Sequence, residues 1–117
     1  MCGIAGMVHR DGSPVDRGLL AQMVAAMRHR GPDGEGFHVI EPSADGSCAS
    51  VGFGHCRLAV IDLAGGAQPM CNEDRTVWVV FNGEIYNYVE LRRDLEARGH
   101  RFTSNTDTEV IVHQYEE

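Results

Sequence analysis

Residues 1–9, MCGIAGMVH, place a short apolar run at the very start of the chain. Residues 3–9 predict a β-strand that begins almost at the terminus, so Cys2 would be anchored to a sheet. If Met1 is trimmed, Cys2 carries both a thiol and a free α-amine. The pattern therefore allows two interpretations, an N-terminal nucleophile or a small buried residue that precedes a strand.

The amine matters because it can act as a base at neutral pH. An α-amino group with a pKa near 7.7 is roughly 15–20% neutral at pH 7, whereas a lysine is almost fully charged. A terminal amine can therefore accept the thiol proton, which is how N-terminal nucleophile enzymes work.

Composition limits the classes of function. The chain has 117 residues, 43% of them hydrophobic and 23% charged, as expected for a small folded domain. A net charge of −7 argues against nucleic acid as a partner. No run is long enough for a signal-peptide core or a membrane span, so we expect a cytoplasmic protein that does not bind membranes. Four scattered cysteines form no C-x-x-C pair, and we expect no metal site.

Strand and helix signals alternate along the rest of the chain. A helix is predicted from Asp16 as N-cap to the turn before Gly31. Residues 37–63 read as two or three strands, and 77–81, VWVVF, as a buried strand.

The C-terminal half predicts two more helices. One runs from Tyr88 to Arg98, with Gly99 as its C′ residue, and a short strand follows at 100–104. Thr106 and Glu109 form a capping-box pattern that opens a third helix, whose apolar face is expected to contain Val110, Ile111 and Tyr115.

Other residues carry chemistry only in combination. Asn82 and Gly83 follow an apolar run and could supply oxyanion donors, although the pair is also an ordinary turn dipeptide. Arg57 could hold a carboxylate, and Glu84 and Asp107 could hold an ammonium group; taken singly, each residue fits a solvated or structural ion better. The histidines His29 and His55 are set aside as structural.

Five motifs in order resemble the glutaminase domain of glutamine-hydrolysing asparagine synthetases, which are class II, N-terminal nucleophile amidotransferases. They are MCGIAG (1–6), RHRGPDGEG (28–36), GHCRLAVIDLAGGAQPM (54–70), FNGEIYNYVELR (81–92) and TDTEV (106–110). This resemblance covers essentially the whole chain and favours the nucleophile interpretation of Cys2.

The resemblance implies roles for individual residues. Cys2 is similar to the nucleophile, and its freed amine to the base. Asn82 and Gly83 are similar to the oxyanion donors. Arg57 resembles the arginine that holds the glutamine α-carboxylate. The remaining substrate contacts implied by the family are Glu84 and Asp107 around the amino group, and main-chain groups near Val60 and Ile61. Cys56 stands where arginine is common, which affects only local packing.

The resemblance also implies a fold and a larger enzyme. The expected class is α+β, a four-layer αββα sandwich that is incomplete in this chain. Because the sequence stops at Glu117 without a helix stop signal, we expect 1–117 to be part of a type 2 amidotransferase domain, truncated within its third helix. The C-terminal synthetase domain is expected to be absent. That domain would use ATP, Mg²⁺ and aspartate, this segment needs no cofactor, and the family allows a homodimer of the full-length protein.

The implied activity is hydrolysis of L-glutamine through a γ-glutamyl thioester, releasing ammonia for amidation of aspartate. Sister amidotransferases that make sugar amines fit RHRGPD and FNGEIYN less well. Two alternatives stay open: a synthetase-like enzyme that amidates another acceptor, such as a glycan or a peptide, and a non-catalytic glutamine-binding module.

Overall fold

The computed structural model describes residues 1–45, 48–59 and 65–117. These residues form two compact units, Met1–Leu58 and Ala59–Glu117, and each is described by itself. No helix among the described residues is long and apolar enough to cross a membrane.

The first unit is a three-stranded antiparallel sheet with one helix on it. The strands are β1 (Gly3–His9), β2 (Gly34–Ile40) and β3 (Ser50–Arg57), in the order β1-β3-β2. The strand predicted at 3–9 is confirmed. β2 begins three residues before the predicted Phe37, because 34–36 pair with 55–57 of β3.

Helix α1 (Arg17–Ala26) confirms the prediction made from its cap. Asp16 is the N-cap, and its Oδ1 accepts a hydrogen bond from the Leu19 N–H at 2.9 Å. Leu20 and Val24 are buried against the sheet. A Cβ at Gly54 would lie 2.4 Å from Val24 Cγ2, so this glycine allows the helix to approach β3 closely. The buried core of the unit consists of Ala5, Val15, Leu20, Val24 and Cys56.

The second unit contains a two-stranded antiparallel ladder and two helices. The ladder joins β4 (Met70–Cys71) to β5 (Trp78–Val79), and the helices are α2 (Tyr88–Ala97) and α3 (Glu109–Glu116). The α2 prediction is confirmed, including Gly99 after its end with φ of 104°. Among the described residues, Met70, Leu95, Val110 and Val112 are its buried apolar side chains.

The predicted strand at 77–81 is wrong in length and burial. Only Trp78 and Val79 pair, and both are half-buried. Asn72 bounds the ladder on one side, since its Oδ1 accepts hydrogen bonds from the N–H groups of Thr76 and Val77 at 2.9 and 3.0 Å. On the other side, Gln68 Oε1 accepts from the Phe81 N–H at 2.6 Å. Side-chain bonding of this kind competes with ladder bonding.

The strand predicted at 100–104 is also wrong. Backbone N–H groups in this segment donate to carboxylates instead of to a neighbouring strand. The Arg101 N–H donates to Glu73 at 2.8 Å, and the Thr103 and Ser104 N–H groups each donate to Glu109 at 2.7 Å. These bonds satisfy the backbone N–H groups without a neighbouring strand.

Helix α3 exists, but the predicted capping box at Thr106 is wrong. Thr108 is the N-cap and makes no side-chain capping bond. Glu109, expected at the third helical position, is the first, and its carboxylate binds Thr103 and Ser104. The expected apolar face is only partly correct: Val110 is buried, whereas Tyr115 is 79% exposed.

Candidate active-site residues

Cys2 lies immediately before β1, where the sheet of the first unit ends. The register pairs Gly3 with Cys56, so the next position along places Cys2 and Arg57 at the same sheet edge. Cys2 Sγ is half-buried and accepts a hydrogen bond from the Leu58 N–H at 3.2 Å. It also lies 3.6 Å from the Leu58 carbonyl oxygen. The sulfur is therefore held by the residue that follows Arg57.

Arg30 also binds the chain terminus, through hydrogen bonds to Cys2 and Met1. Its Nε donates to the Cys2 carbonyl oxygen at 3.1 Å, and its own carbonyl accepts from the Met1 amino group at 3.5 Å. Met1 is 72% exposed, so nothing in the first unit buries the residue that would be trimmed. While Met1 is present, the Cys2 nitrogen is a peptide amide and cannot serve as a base.

The RHRGPD turn packs directly on the end of β3. A Cβ at Gly31 would lie 2.5 Å from Cys56 C and O and 2.6 Å from Arg57 N. Only glycine permits this approach. Cys56 itself is fully buried, and its Sγ donates to the Met27 carbonyl at 3.1 Å. The cysteine at this position therefore has a packing role next to Arg57, which is half-buried.

In the second unit, Asn82, Gly83 and Glu84 lie in the coil between β5 and α2. Asn82 is half-buried, whereas Gly83 and Glu84 are exposed. Asp107 is buried, and its Oδ2 accepts from the Ile85 N–H at 2.8 Å. The structure therefore brings Asp107 to the segment that contains the other three residues.

Gln68 supports this segment and was missed in the sequence. Its Oε1 accepts from the Phe81 N–H at 2.6 Å, and its Nε2 donates to Thr108 Oγ1 at 3.3 Å. It links the residue before Asn82 to the residue after Asp107. The Phe81 ring lies under Gly83, where an added Cβ would be 2.6 Å from ring carbon Cζ.

The other candidate residues differ in accessibility. Val60 and Ile61 lie outside the described residues. His29 is exposed and His55 is buried. Among the remaining cysteines, Cys48 is exposed, whereas burial raises the pKa of the half-buried Cys71 thiol.

Arg30, Leu58 and Gln68 make tertiary hydrogen bonds in which at least one partner is a main-chain group, and no sequence pattern specifies such bonds. The available signal was indirect. Arg30 and Gln68 each stand inside a motif that carries the family resemblance, next to glycine or proline residues that mark a close turn.

Comparison with known proteins gives one family across the whole chain. A family model described as a glutamine amidotransferase domain matches residues 1–117. Asparagine synthetase [glutamine-hydrolyzing] 1 of Bacillus subtilis is 43% identical over 98% of this chain and 17% of its own length. Asparagine synthetase [glutamine-hydrolyzing] 1 of Arabidopsis thaliana is 44% identical over all of this chain and 18% of its own.

A more distant relative agrees. Putative asparagine synthetase [glutamine-hydrolyzing] 1 of Methanocaldococcus jannaschii is 36% identical over the full chain and 23% of its own length. The chain thus spans about a fifth of the curated relatives that it matches. With the family model matched from the first residue to the last, the chain belongs to the glutamine amidotransferase domain family.

Proposed function

We propose that this chain is the glutamine-hydrolysing part of an asparagine-synthetase-type enzyme, with Cys2 as the nucleophile. Support comes from the relatives, whose names describe glutamine-hydrolysing asparagine synthetases. The observation that carries the proposal is the placement of Cys2 Sγ, 3.2 Å from the Leu58 N–H at the sheet edge shared with Arg57. A thiol at a fixed position beside the terminus is what nucleophilic attack on an amide requires.

The reaction begins once Met1 has been removed. The new α-amine takes the thiol proton, and the sulfur attacks the side-chain amide carbon of glutamine. The tetrahedral intermediate collapses when its nitrogen receives the proton and leaves as ammonia, and a γ-glutamyl thioester remains on Cys2. Water then attacks the thioester, the amine accepts the water proton, and glutamate leaves as the thiol is restored.

The other residues are assigned by the same reasoning. Asn82 and Gly83 would donate hydrogen bonds to the oxyanion of the intermediate. Arg57 would bind the α-carboxylate of glutamine bidentately. Asp107 would bind the α-ammonium group through Oδ1, because its Oδ2 already accepts from the Ile85 N–H.

The remaining contacts follow the family. Glu84 would help to bind the ammonium group, and main-chain groups near Val60 and Ile61 would complete the binding of glutamine. Arg30 is a positioning residue in this proposal, because it holds the Cys2 carbonyl and does not itself contact glutamine.

The proposal extends to the architecture and to the whole enzyme. The chain has α+β structure with antiparallel sheets, and we assign it to the four-layer αββα sandwich of N-terminal nucleophile hydrolases. In the whole enzyme, the ammonia would amidate aspartate in a reaction that uses ATP and Mg²⁺.

A pair of cysteine variants tests the proposal. Cys2→Ala should abolish the release of glutamate from glutamine, since the proposed thioester forms on the Cys2 thiol. Cys48→Ala, which removes an exposed thiol, should leave hydrolysis unchanged. In the whole enzyme, Cys2→Ala should still make asparagine from free ammonia. Parent-like glutamine hydrolysis in Cys2→Ala would remove Cys2 from the mechanism.

A further inference from the structure

A cluster of two histidines and two carboxylates lies in the second unit, among residues with no role in the proposed glutamine chemistry. Its members are Glu73, His100, His113 and Glu116, and they offer ligand atoms that all lie within 4.8 Å of one another. They come from three parts of the chain: the turn after β4, the segment after α2, and α3. The cluster therefore joins segments that are distant in sequence.

Three of the six distances between these atoms are close to those around a small tetrahedral ion. Glu116 Oε2 lies 3.1 Å from His113 Nδ1 and 3.5 Å from His100 Nδ1. Glu73 Oε2 lies 3.7 Å from His113 Nδ1. Zinc bound at about 2.0–2.1 Å in tetrahedral geometry separates its ligand atoms by roughly 3.3–3.4 Å. The three contacts named differ from this spacing by a few tenths of an ångström, and the widest separation in the cluster, at most 4.8 Å, would close by up to about 1.4 Å on binding.

A second layer of contacts orients His100. Its Nε2 lies 3.0 Å from Glu117 Oε1, and Glu117 is in turn held by Arg98. With the proton on Nε2 and donated to Glu117, Nδ1 presents a lone pair toward Glu116. A histidine held by an outer carboxylate in this way is typical of metal sites.

Burial and charge also favour an ion. The His113 side chain is 1% exposed, whereas that of Glu73 is 38% exposed, so the cluster is enclosed on one side and accessible on the other. Two carboxylates and two neutral imidazoles carry a charge of −2, which a divalent cation balances. Nitrogen and oxygen ligands at four-coordinate spacing suit Zn²⁺ better than Mg²⁺ or Ca²⁺, which prefer six or more oxygens.

We propose that this cluster is a zinc site, with His100 Nδ1, His113 Nδ1, Glu73 and Glu116 as ligands. Bound zinc would tie the end of α3 to the turn after β4 and to the segment after α2. The site has a structural role in this proposal, because all four positions are taken by protein atoms and no position remains open for substrate. Cysteine spacing could not have indicated it, since no cysteine takes part.

The first experiment measures zinc affinity. The chain is stripped with a chelator and titrated with Zn²⁺ against a chromophoric competitor. We expect one Zn²⁺ per chain and a higher melting temperature with zinc bound. Glu116→Gln or His100→Gln should weaken binding by more than about 100-fold, and Glu117→Gln, which alters only the outer contact, by about 10–100-fold.

The matched control is His29→Gln, which removes an exposed histidine outside the cluster. It should bind zinc with parent affinity. Equal affinity in His100→Gln and His29→Gln, or no stoichiometric binding to the parent, would overturn the proposal and leave the cluster as histidine–glutamate ion pairs.

A second measurement uses the unmutated protein, so it does not depend on whether the variants fold. Substitution with Co²⁺ should give the visible absorption of a four-coordinate site with nitrogen and oxygen ligands. Absorption from cobalt–thiolate bonds would place the metal on a cysteine such as Cys48 instead, and would equally overturn the assignment. Neither experiment depends on glutamine turnover, so this proposal can fail while the proposed function stands.

Discussion

Replacing Gly31 with alanine should damage the candidate site without replacing any residue assigned to the chemistry. The added Cβ would lie 2.5 Å from the Cys56 carbonyl carbon and oxygen and 2.6 Å from Arg57 N. These are backbone atoms of a paired strand, so they cannot rotate away as a side chain would. The turn or the end of β3 must therefore move.

The size of the movement follows from the contact distances. Separations below 3.0 Å are essentially never seen for Cβ, and 3.4 Å is ordinary contact, so the backbone must retreat by about 0.5–0.9 Å. Overpacking of this kind costs about 1–3 kcal/mol. The shift is centred on Arg57 and on the Leu58 N–H that holds Cys2 Sγ. Because misplacement by about 1 Å can cost 10²-fold, we expect glutamine turnover to fall by about 10–100-fold.

Gly34→Ala is the matched control for this experiment. A Cβ there would meet no atom within 4 Å, and neither glycine has the left-handed backbone found at Gly12 and Gly99. Thermal melts and glutamate release are measured for both variants. A parent-like melt and turnover in Gly31→Ala, or an equal loss in Gly34→Ala, would refute the reasoning.

Two further predictions concern glutamine itself. Arg57→Ala should raise the KM for glutamine by at least 10²-fold, because truncation leaves the buried substrate carboxylate without its partner, and Arg57→Lys should restore it only in part because the bidentate contact is lost. An unchanged KM would remove Arg57 from substrate binding. Asn82→Ala should lower kcat by about 10²–10³ while the KM changes little, as expected for an oxyanion donor. A change confined to KM would assign Asn82 to substrate binding instead.

Elements with a local signal were predicted correctly from the sequence. α1 has an aspartate cap and an apolar spacing that faces the sheet, and α2 is followed by Gly99, which adopts positive φ. The strand at the terminus was equally clear. In each case, the residues that define the element are close together in sequence, so no distant partner was needed to identify it.

The strand predictions were wrong where side chains bind backbone N–H groups that a strand would have used for pairing. Asn72 and Gln68 bind N–H groups at the two ends of VWVVF, and Glu73 and Glu109 bind N–H groups of the segment at 100–104. Glu73 is 28 residues from Arg101, whereas Glu109 reaches back five and six residues to Ser104 and Thr103. Propensity and periodicity do not describe such contacts, and the strand predictions failed for that reason.

In the candidate site, too, the sequence indicated the residues themselves but not the tertiary contacts that hold them. Sequence motifs indicated that the site contains Cys2, Arg57, Asn82 and Asp107. The roles of these residues stay predictions. What the structure adds is their support: Leu58 and Arg30 around Cys2, and the Ile85 N–H on Asp107. The Leu58 and Ile85 groups are main-chain N–H donors, which almost any residue type could supply, and the Arg30 side chain binds a main-chain carbonyl. Sequence motifs do not identify such tertiary contacts.

The central claim is that Cys2 with a free amine forms the thioester. The direct measurement is mass spectrometry of protein quenched with acid during glutamine turnover, followed by mapping of the terminal peptide. We predict one glutamyl group on Cys2, found only in molecules that begin at Cys2, while molecules that retain Met1 stay unmodified and inactive. A glutamyl group on another residue, or full turnover by protein that still carries Met1, would contradict the account.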